Sequence, residues 1–411
     1  MRILLLHQYF LEEDGSNGSR WNEMSKMWTE AGHEVVVLAG LVQANSSEKL
    51  PEYKGKYFVQ KRLGEVSIWR CHVSEAYNKS FRGRLWGYFS FMFSSLWAGV
   101  FKVKGKFDVV VVTSPPLFVG FSGYVISRLK RIPFVFEVRD LWPESAIDTG
   151  VLTNKWIIKI SFWFEKFIYK RAKLINVLTP AFYNTLKTVK KIPEEKLIMI
   201  PNASDFGMSA ELLQHFDREG FRKQMNMESK FVITYVGAHG VANHLQQVLE
   251  AGKALEDTNV LFLLIGEGME KERLQQMTLD MKLNNVRFID SVPKKEVFKY
   301  IIASEMGASV LKKVDTFKTV FSNKTFDYMS CKVPVLMAID GVSRELVEKA
   351  QCGTYIEPEN IEEYNRIIRL YLNDFDRIKR EGSNGYNYAK IHFDRDVLAK
   401  KYLKEIIEKV L

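Results

Sequence analysis

The chain has 411 residues, 46% hydrophobic and 26% charged, a composition that excludes a disordered chain and a length that is too great for one ordinary core. Its three cysteines, Cys71, Cys331 and Cys352, form no CxxC pair or Cys/His cluster, which argues for reduced thiols in a cytosolic protein and against a disulfide frame or zinc site. The formal charge of +10 lies wholly in the first half, where residues 1–205 carry 29 Lys+Arg against 19 Asp+Glu, and it points to an anionic partner.

The opening MRILLLHQYF does not read as a signal peptide, because its apolar run stops at His7 with no small-residue cleavage site after it. Ile3–Leu6 has the fully apolar character of a buried parallel strand. The loop EEDGSNGSR (12–20) follows and carries Gly18; its acidic residues read as solvated. A helical pattern runs from Trp21 to Ala31, and His33–Leu38 is the next strand. Together these make a β-loop-α-β unit. FDVVVVTSPP (107–116) and IPFVFEVRDLWP (132–143) are each a strand running into a loop, and LINVLTP (174–180) is one more. Strands alternating with helices imply a doubly wound parallel sheet.

Pro201–Asn202 breaks the pattern, which then restarts. FVITYVGAHG (231–240) and VLFLLIGEG (260–268) are strands ending in glycine turns. VRFIDSV (286–292), MGASVL (306–311), VPVLMAID (333–340) and GTYIEP (353–358) complete a second strand set, before a charged amphipathic helix over about 395–411. The expected fold is therefore α/β, with an N-terminal Rossmann-like domain over 1–203 and a second over 204–389. A C-terminal helix over about 390–411 is expected to pack back on the first. In such sheets ligands bind at the carboxyl ends of the strands, which here means a cleft between the domains.

Glycine at 237 and 240 lets the backbone approach a ligand, and the following helix offers free N–H groups that suit a diphosphate; glycine also simply ends strands. Gly266, Glu267 and Gly268 present the same pair of readings. Neither turn is a Walker A loop, and GSNGSR is not the dinucleotide fingerprint, which disfavours a nicotinamide dehydrogenase. Ser322 and Asn323 read as N-caps of a helix over 323–331. Lys324 in its first turn and Asp327 three residues on share a face. They are either an exposed ion pair worth roughly 0.3–0.5 kcal/mol, or an anion contact beside a hydrogen-bond acceptor for sugar hydroxyls. Arg139 and Asp140 follow a strand; they either act on a substrate or brace their loop as a pair, with Trp142 as packing anchor. A metal site would need Asp-x-Asp at a strand end. The triplets at 374–376 and 394–396 fall in the helical C-terminal region and read as caps and solvated faces.

FRGRLWGYFSFMFSSLWAGVFKVKGK (81–106) and WIIKISFWFEKFIYKRAK (156–173) mix aromatics with Lys and Arg. Both should be outer helices of the first domain, part of each face covering the sheet. Their surplus of aromatic and basic residues suits a surface resting on a bilayer. Residues 85–101 are near the lower limit for a span, but a strand follows too closely. No nucleic-acid motif is present.

HQYF (7–10), TSPP (113–116), FVFEVRDLWPES (134–145), IPN (200–202), YVGAHG, IGEG and SNKTFDYM (322–329) carry a resemblance over nearly the whole chain. The sequence resembles retaining glycosyltransferases of family 4 with the GT-B fold, and is most similar to bacterial surface-polysaccharide enzymes often labelled fucosamine transferases. The resemblance implies two Rossmann-like domains facing across a cleft and transfer of an N-acetylhexosamine such as N-acetylfucosamine from a UDP-sugar. The implied acceptor is a polyprenyl-diphosphate-linked glycan of O-antigen or capsule, met at the cytoplasmic membrane leaflet. It also implies a donor site of Gly18, Gly237, His239, Gly240, Gly266, Glu267, Gly268, Val292, Ser322, Asn323, Lys324 and Asp327. Lys324 would meet the diphosphate and Asp327 the ribose. Arg139, Asp140 and Lys324 would be catalytic, with Lys324, His239, Arg139 and helix N-termini supplying charge stabilisation without metal or cofactor. Two features depart from the family pattern: its first motif glutamate falls on Thr319, and Ser322–Asn323 replaces the usual Pro-Ser before the lysine. An epimerase of related architecture, or a scaffold for polysaccharide assembly, are the alternatives.

Overall fold

The computed structural model describes the chain except residues 13–19, 43–48, 77–80, 149 and 151. Two compact units form: Met1–Pro201 with Asp396–Leu411, and Asn202–Arg395.

The first unit is built on eight strands: β1 (Arg2–Leu6), β2 (Glu34–Gly40), β3 (Phe58–Leu63), β4 (Val66–Cys71), β5 (Val109–Ser114), β6 (Phe134–Val138), β7 (Leu174–Val177) and β8 (Leu197–Met199). Their order is β3-β4-β2-β1-β5-β6-β7-β8. All neighbours are parallel except the β3–β4 hairpin at the edge. The strand order reverses between β1 and β5. The hairpin is absent from the expectation above, although FVQKRLGEVSIWRC carries its signal: two β-rich runs meet at Gly64, whose φ of 54° makes the turn.

Charged residues hold the carboxyl edge of this sheet. Glu137 on β6 is wholly buried. Its carboxylate accepts from Trp21 Nε1 (2.9 Å), Thr113 Oγ1 (3.0 Å), Asn176 Nδ2 (2.8 Å) and Arg20 Nε (3.2 Å). Arg20 also donates to the carbonyls of Ile200 and Pro201, so one side chain ties the first helix, β6 and the end of the unit. Arg70 on β4 does the same for the loop after β1, donating to the carbonyls of Phe10, Leu11 and Gly40. Its partner Glu12, 2.9 Å away, also accepts from Tyr53 (2.8 Å). Glu12 is thus a structural anchor, not the solvated loop residue expected. The closing helix Arg395–Val410 lays Tyr402 against Trp21 and Trp28, and its Ala399 carbonyl accepts from Trp28 Nε1 at 3.0 Å.

The helices Phe81–Trp97 and Lys155–Arg171 flank Val119–Lys130, and the Phe118 ring lies between Phe89 and Phe164. Among the described residues no helix is long and apolar enough to cross a membrane.

The second unit has six parallel strands: β9 (Phe231–Val236), β10 (Val260–Ile265), β11 (Val286–Ile289), β12 (Met306–Val310), β13 (Val335–Ala338) and β14 (Gly353–Tyr355). Their order, β11-β10-β9-β12-β13-β14, reverses between β9 and β12. Those two strands pair only at Met306–Ile233 and Gly307–Thr234, then splay. The buried Tyr328 hydroxyl fills the gap: Val236 N–H donates to it at 3.2 Å, and it lies 3.0–3.1 Å from the Ala308 and Thr234 carbonyls. Gly307 makes room, since a Cβ there would sit 2.3 Å from the Tyr328 ring. Asp374 of the first acidic triplet caps Phe375–His392 through Arg377 N–H, at 2.9 Å.

Glu137→Ala strands Arg20 in the interior. Loss of about 3–5 kcal/mol of stability is expected in chemical denaturation, and a change below 1 kcal/mol would show that the network is dispensable.

Candidate functional site

In the second unit the two glycine turns leave adjacent strands and interlock. Gly237 N–H donates to Ile265 O (3.0 Å), His239 N–H to Glu267 O (2.8 Å), and Glu270 N–H to His239 O (2.9 Å). Gly237 and Gly266 have φ of 137° and 146°, a region that side chains disfavour. A Cβ on Gly266 would lie 2.0 Å from the Gly237 carbonyl, and one on Gly268 2.3 Å from that of His239. Gly266 and Gly268 are therefore required by the crossing itself. Gly240 is not: its backbone is extended and a Cβ meets only Asn243 Oδ1, at 3.5 Å. Contrary to expectation, no helix starts at this turn. A short 3-10 stretch, Val241–Asn243, and a left-handed His244 precede the helix Gln246–Ala254.

The helix beside these turns is Asn323–Ser330, set in place by Tyr328. Ser322 stands at its N-cap, but its hydroxyl is taken by Ser309 Oγ (2.6 Å) and does not cap. Asn323 is exposed and accepts from Asn202 Nδ2 at 2.6 Å. The capping role expected of these two residues is thus overturned, and the first turn keeps N–H groups without a side-chain acceptor. Lys324 lies over them. Its Nζ is 4.7 Å from the Tyr235 ring centre, and a Cβ on Gly237 would be 3.3 Å from its Cε. Tyr235 in turn donates to the Ala238 carbonyl at 2.8 Å, bracing the glycine turn from beneath.

The exposed Lys324–Asp327 ion pair is not formed. Both side chains are partly buried, and among the described residues no ion pair within 4.0 Å joins them. Burial pushes the Lys324 amine down to about 8, with Asp327 opposing. Burial also lifts Asp327 to about 6, with Asp205 adding to the rise and Lys294 and Lys324 opposing it. A half-desolvated cation beside open N–H groups is a strained arrangement unless an anion completes it.

His239 does not carry the charge expected of it. It is fully buried, neither ring nitrogen has a hydrogen-bond partner, and burial followed by Lys271 pushes it down to about 4. It is neutral at pH 7. Exposed Glu267 pairs with Lys271 (2.7 Å), which also reaches Asp290 (2.5 Å). Val292 is partly buried against the core of this unit. Thr319 closes a 3-10 turn, its hydroxyl donating to Thr316 O at 2.7 Å. Gly18 lies outside the described residues.

In the first unit Arg139 and Asp140 follow β6. They do not brace each other: Asp140 accepts from Ser145 Oγ (2.7 Å), and burial raises its pKa. Trp142 packs on Phe118, ring centres 5.6 Å apart. Burial lowers the Arg139 pKa, with Glu137 opposing and Arg20 adding. Behind them Lys190 joins Glu144 and Glu165 (2.7 Å), and burial pushes Glu165 up to about 7. Glu137 and His7 also belong to this edge and were not singled out from sequence. An acidic residue inside the apolar run FVFEV was the available signal for Glu137.

Residues 18–203 match the family described as glycosyl transferase 4-like domain, and residues 217–388 match glycosyl transferases group 1. An Escherichia coli (strain K12) protein, named as the colanic acid biosynthesis glycosyl transferase WcaI, is 23% identical over 434 residues, covering 99% of this chain and 100% of that one. The Anabaena Alr3699/HepE structure in complex with UDP-glucose superposes with a TM-score of 0.71 at 16% identity, over 99% of both chains. WaaG, a glycosyltransferase involved in lipopolysaccharide biosynthesis, gives a TM-score of 0.69 at 16% identity, again over 99% of each.

Lys324 should titrate with a midpoint near pH 8 in the free protein, read by NMR of 13C-methylated lysines. A midpoint above 10 would place it in water.

Proposed function

The chain belongs to the GT-B glycosyltransferases of family 4, and on that premise we propose that it transfers an N-acetylhexosamine, such as N-acetylfucosamine, from a UDP-sugar to a lipid-linked glycan of bacterial surface polysaccharide. One observation carries the donor side: the partly buried ammonium of Lys324 lies beside the first of two interlocked glycine turns, at a helix start with no side-chain cap. A diphosphate fits that turn because it supplies the missing charge and accepts the open N–H groups. Its arrival favours the charged amine and so raises the Lys324 pKa from about 8. Asp327, one turn along, accepts from the ribose hydroxyls. As the sugar leaves the diphosphate, Lys324 and the helix start stabilise the growing phosphate charge. This suits attack on the face the diphosphate departs from, with retention and with no metal or cofactor required of the protein. HepE, whose structure holds UDP-glucose, supports the UDP-sugar class. WcaI and WaaG, named for colanic acid and lipopolysaccharide biosynthesis, support the polysaccharide setting.

The acceptor side is supported by the surface of the first unit. Trp156, Ile160 and Trp163 of Lys155–Arg171 are 60–73% exposed, at helical spacing on one face. Trp86, Phe93, Trp97 and Phe101 form a second stripe, 53–60% exposed. Exposed Lys102, Lys104, Lys106, Lys155, Lys159, Lys166 and Lys170 flank them. Aromatic side chains among lysines suit the headgroup layer of an anionic bilayer, each cation near the surface adding about 1 kcal/mol. We place the protein on the inner face of the plasma membrane, where a polyprenyl-diphosphate-linked acceptor presents its head group.

UDP should bind the purified chain in calorimetry, and Lys324→Ala should cut turnover by about 10²–10³ with the fold intact; UDP binding and turnover left unchanged by Lys324→Ala would remove the donor assignment. The protein should sediment with vesicles containing phosphatidylglycerol and not with pure phosphatidylcholine. Replacing Trp156 and Trp163 by Ser should release it, and equal binding to both vesicle types would exclude the membrane reading.

A further inference from the structure

The first unit holds a buried imidazole at the point where its strand order reverses, between β1 and β5. His7 directly follows β1, and its N–H extends the ladder to the Leu38 carbonyl at 3.0 Å. Crevices at such reversals, beyond the carboxyl ends of the strands, are where open α/β sheets take ligands. The side chain is 3% exposed and its Nδ1 has no hydrogen-bond partner among the described residues. The next residue, Gln8, is equally buried and leaves Oε1 without one. Buried polar atoms are rarely left unpaired, because each loses its hydration without a replacement bond.

Strand register sets His7 level with Glu137, near the end of β6 from which Arg139 follows. Leu6 pairs with Val112 and Val112 with Phe136, so continuing one residue aligns His7 with Glu137. Arg139 lies two residues beyond Glu137, just past the strand end, and its charge acts on His7. Three arginines surround this edge. Arg20 is committed to Glu137 and the carbonyls of Ile200 and Pro201; Arg70 is committed to Glu12 and the carbonyls of the loop after β1. Both oxygens of Glu137 are already occupied by Arg20, Trp21, Thr113 and Asn176. No described residue pairs with the Arg139 guanidinium. Burial, and then the charges of Arg139 and Arg70, hold His7 well below its usual value, so it is neutral. A neutral imidazole keeps one nitrogen lone pair as an acceptor.

We propose that His7 and Arg139 together form the site for the acceptor's nucleophilic hydroxyl, Arg139 donating to its oxygen and His7 accepting its hydrogen. The pair matches both halves of an alcohol, a match that neither residue achieves alone. It fixes the direction in which the oxygen lone pair points, which is what a transfer reaction needs from an acceptor subsite. The proposal rests on the glycosyl-transfer reading above, and assigns His7 an orienting contact with the substrate without any covalent part.

The test uses the full chain, UDP for binding, and lipid-linked saccharides extracted from host membranes as the acceptor pool. His7→Ala should raise the amount of extract needed for half-maximal transfer by about ten-fold and leave UDP affinity and acceptor-free donor hydrolysis within about two-fold. His7→Gln, whose amide oxygen accepts the same hydrogen, should recover most of the loss; a purely structural role would not be rescued in this way. Arg139→Gln should raise the same quantity, and the double variant should be less than additive, because both residues hold one oxygen. Unchanged half-saturation in His7→Ala, no recovery in His7→Gln, or strictly additive losses would each overturn the assignment. Should His7→Ala fail to fold, the behaviour of His7→Gln and its coupling to Arg139→Gln decide the matter. Absence of UDP binding by the unaltered protein is a separate outcome that defeats the glycosyl-transfer reading itself.

Discussion

Glu137 is a carboxylate with no access to water, and it survives there because four side chains from three different segments donate to it. A buried charge is tolerated only when its neighbours fully satisfy it. That requirement fixes the position of the first helix through Arg20 and Trp21, the level of β5 through Thr113, and that of β7 through Asn176. Arg20 carries the constraint to the chain's exit from the unit at Ile200 and Pro201. With its oxygens consumed in this way, Glu137 acts on Arg139 two residues later through charge alone, with no hydrogen bond between them. The structural charge network thereby leaves one guanidinium available at the carboxyl edge of the sheet.

The second unit meets the same problem with neutral groups. Its strands splay where the order reverses, and the Tyr328 hydroxyl satisfies the backbone that the splay exposes. The same residue sits in the helix that carries Lys324 and Asp327, so repairing the sheet and placing the ammonium are one event. The interlocked turns complete the arrangement. Gly266 and Gly268 touch the backbone of the other turn, which brings main chain close to Lys324 beside the Tyr235 ring. Each unit therefore places an under-compensated cation, Arg139 or Lys324, at the carboxyl end of a parallel sheet, where strand geometry collects ligands.

The basic excess has a different origin from these buried cations. It resides in solvated lysines around exposed aromatic stripes on two helices whose other faces cover the sheet. Glycosyl transfer to a lipid-linked acceptor gives both features one use. On the reading proposed above, surface charge would bring the protein to the bilayer, and the half-buried cations would meet the diphosphate and the acceptor oxygen.

Local pattern by itself determined the α/β class, the two strand sets, the turns after β9 and β10, and the helix bearing Lys324 and Asp327. Apolar runs and glycine stops are local signals, and parallel strands buried on both faces state them strongly. The edge hairpin was legible but went unread, because its strands are half-exposed and mixed in character. Whether Lys324 and Asp327 pair was beyond the sequence: spacing puts them on one helical face, and only packing against Tyr235 and the glycine turns draws the amine away from water and from its neighbour. The same holds for Ser322, whose hydroxyl is claimed by Ser309, thirteen residues away in sequence, and for His239, which burial keeps neutral. His7, at the end of β1, is set level with Glu137 of β6 by strand register across β5. No linear spacing encodes that register, which sheet pairing alone decides.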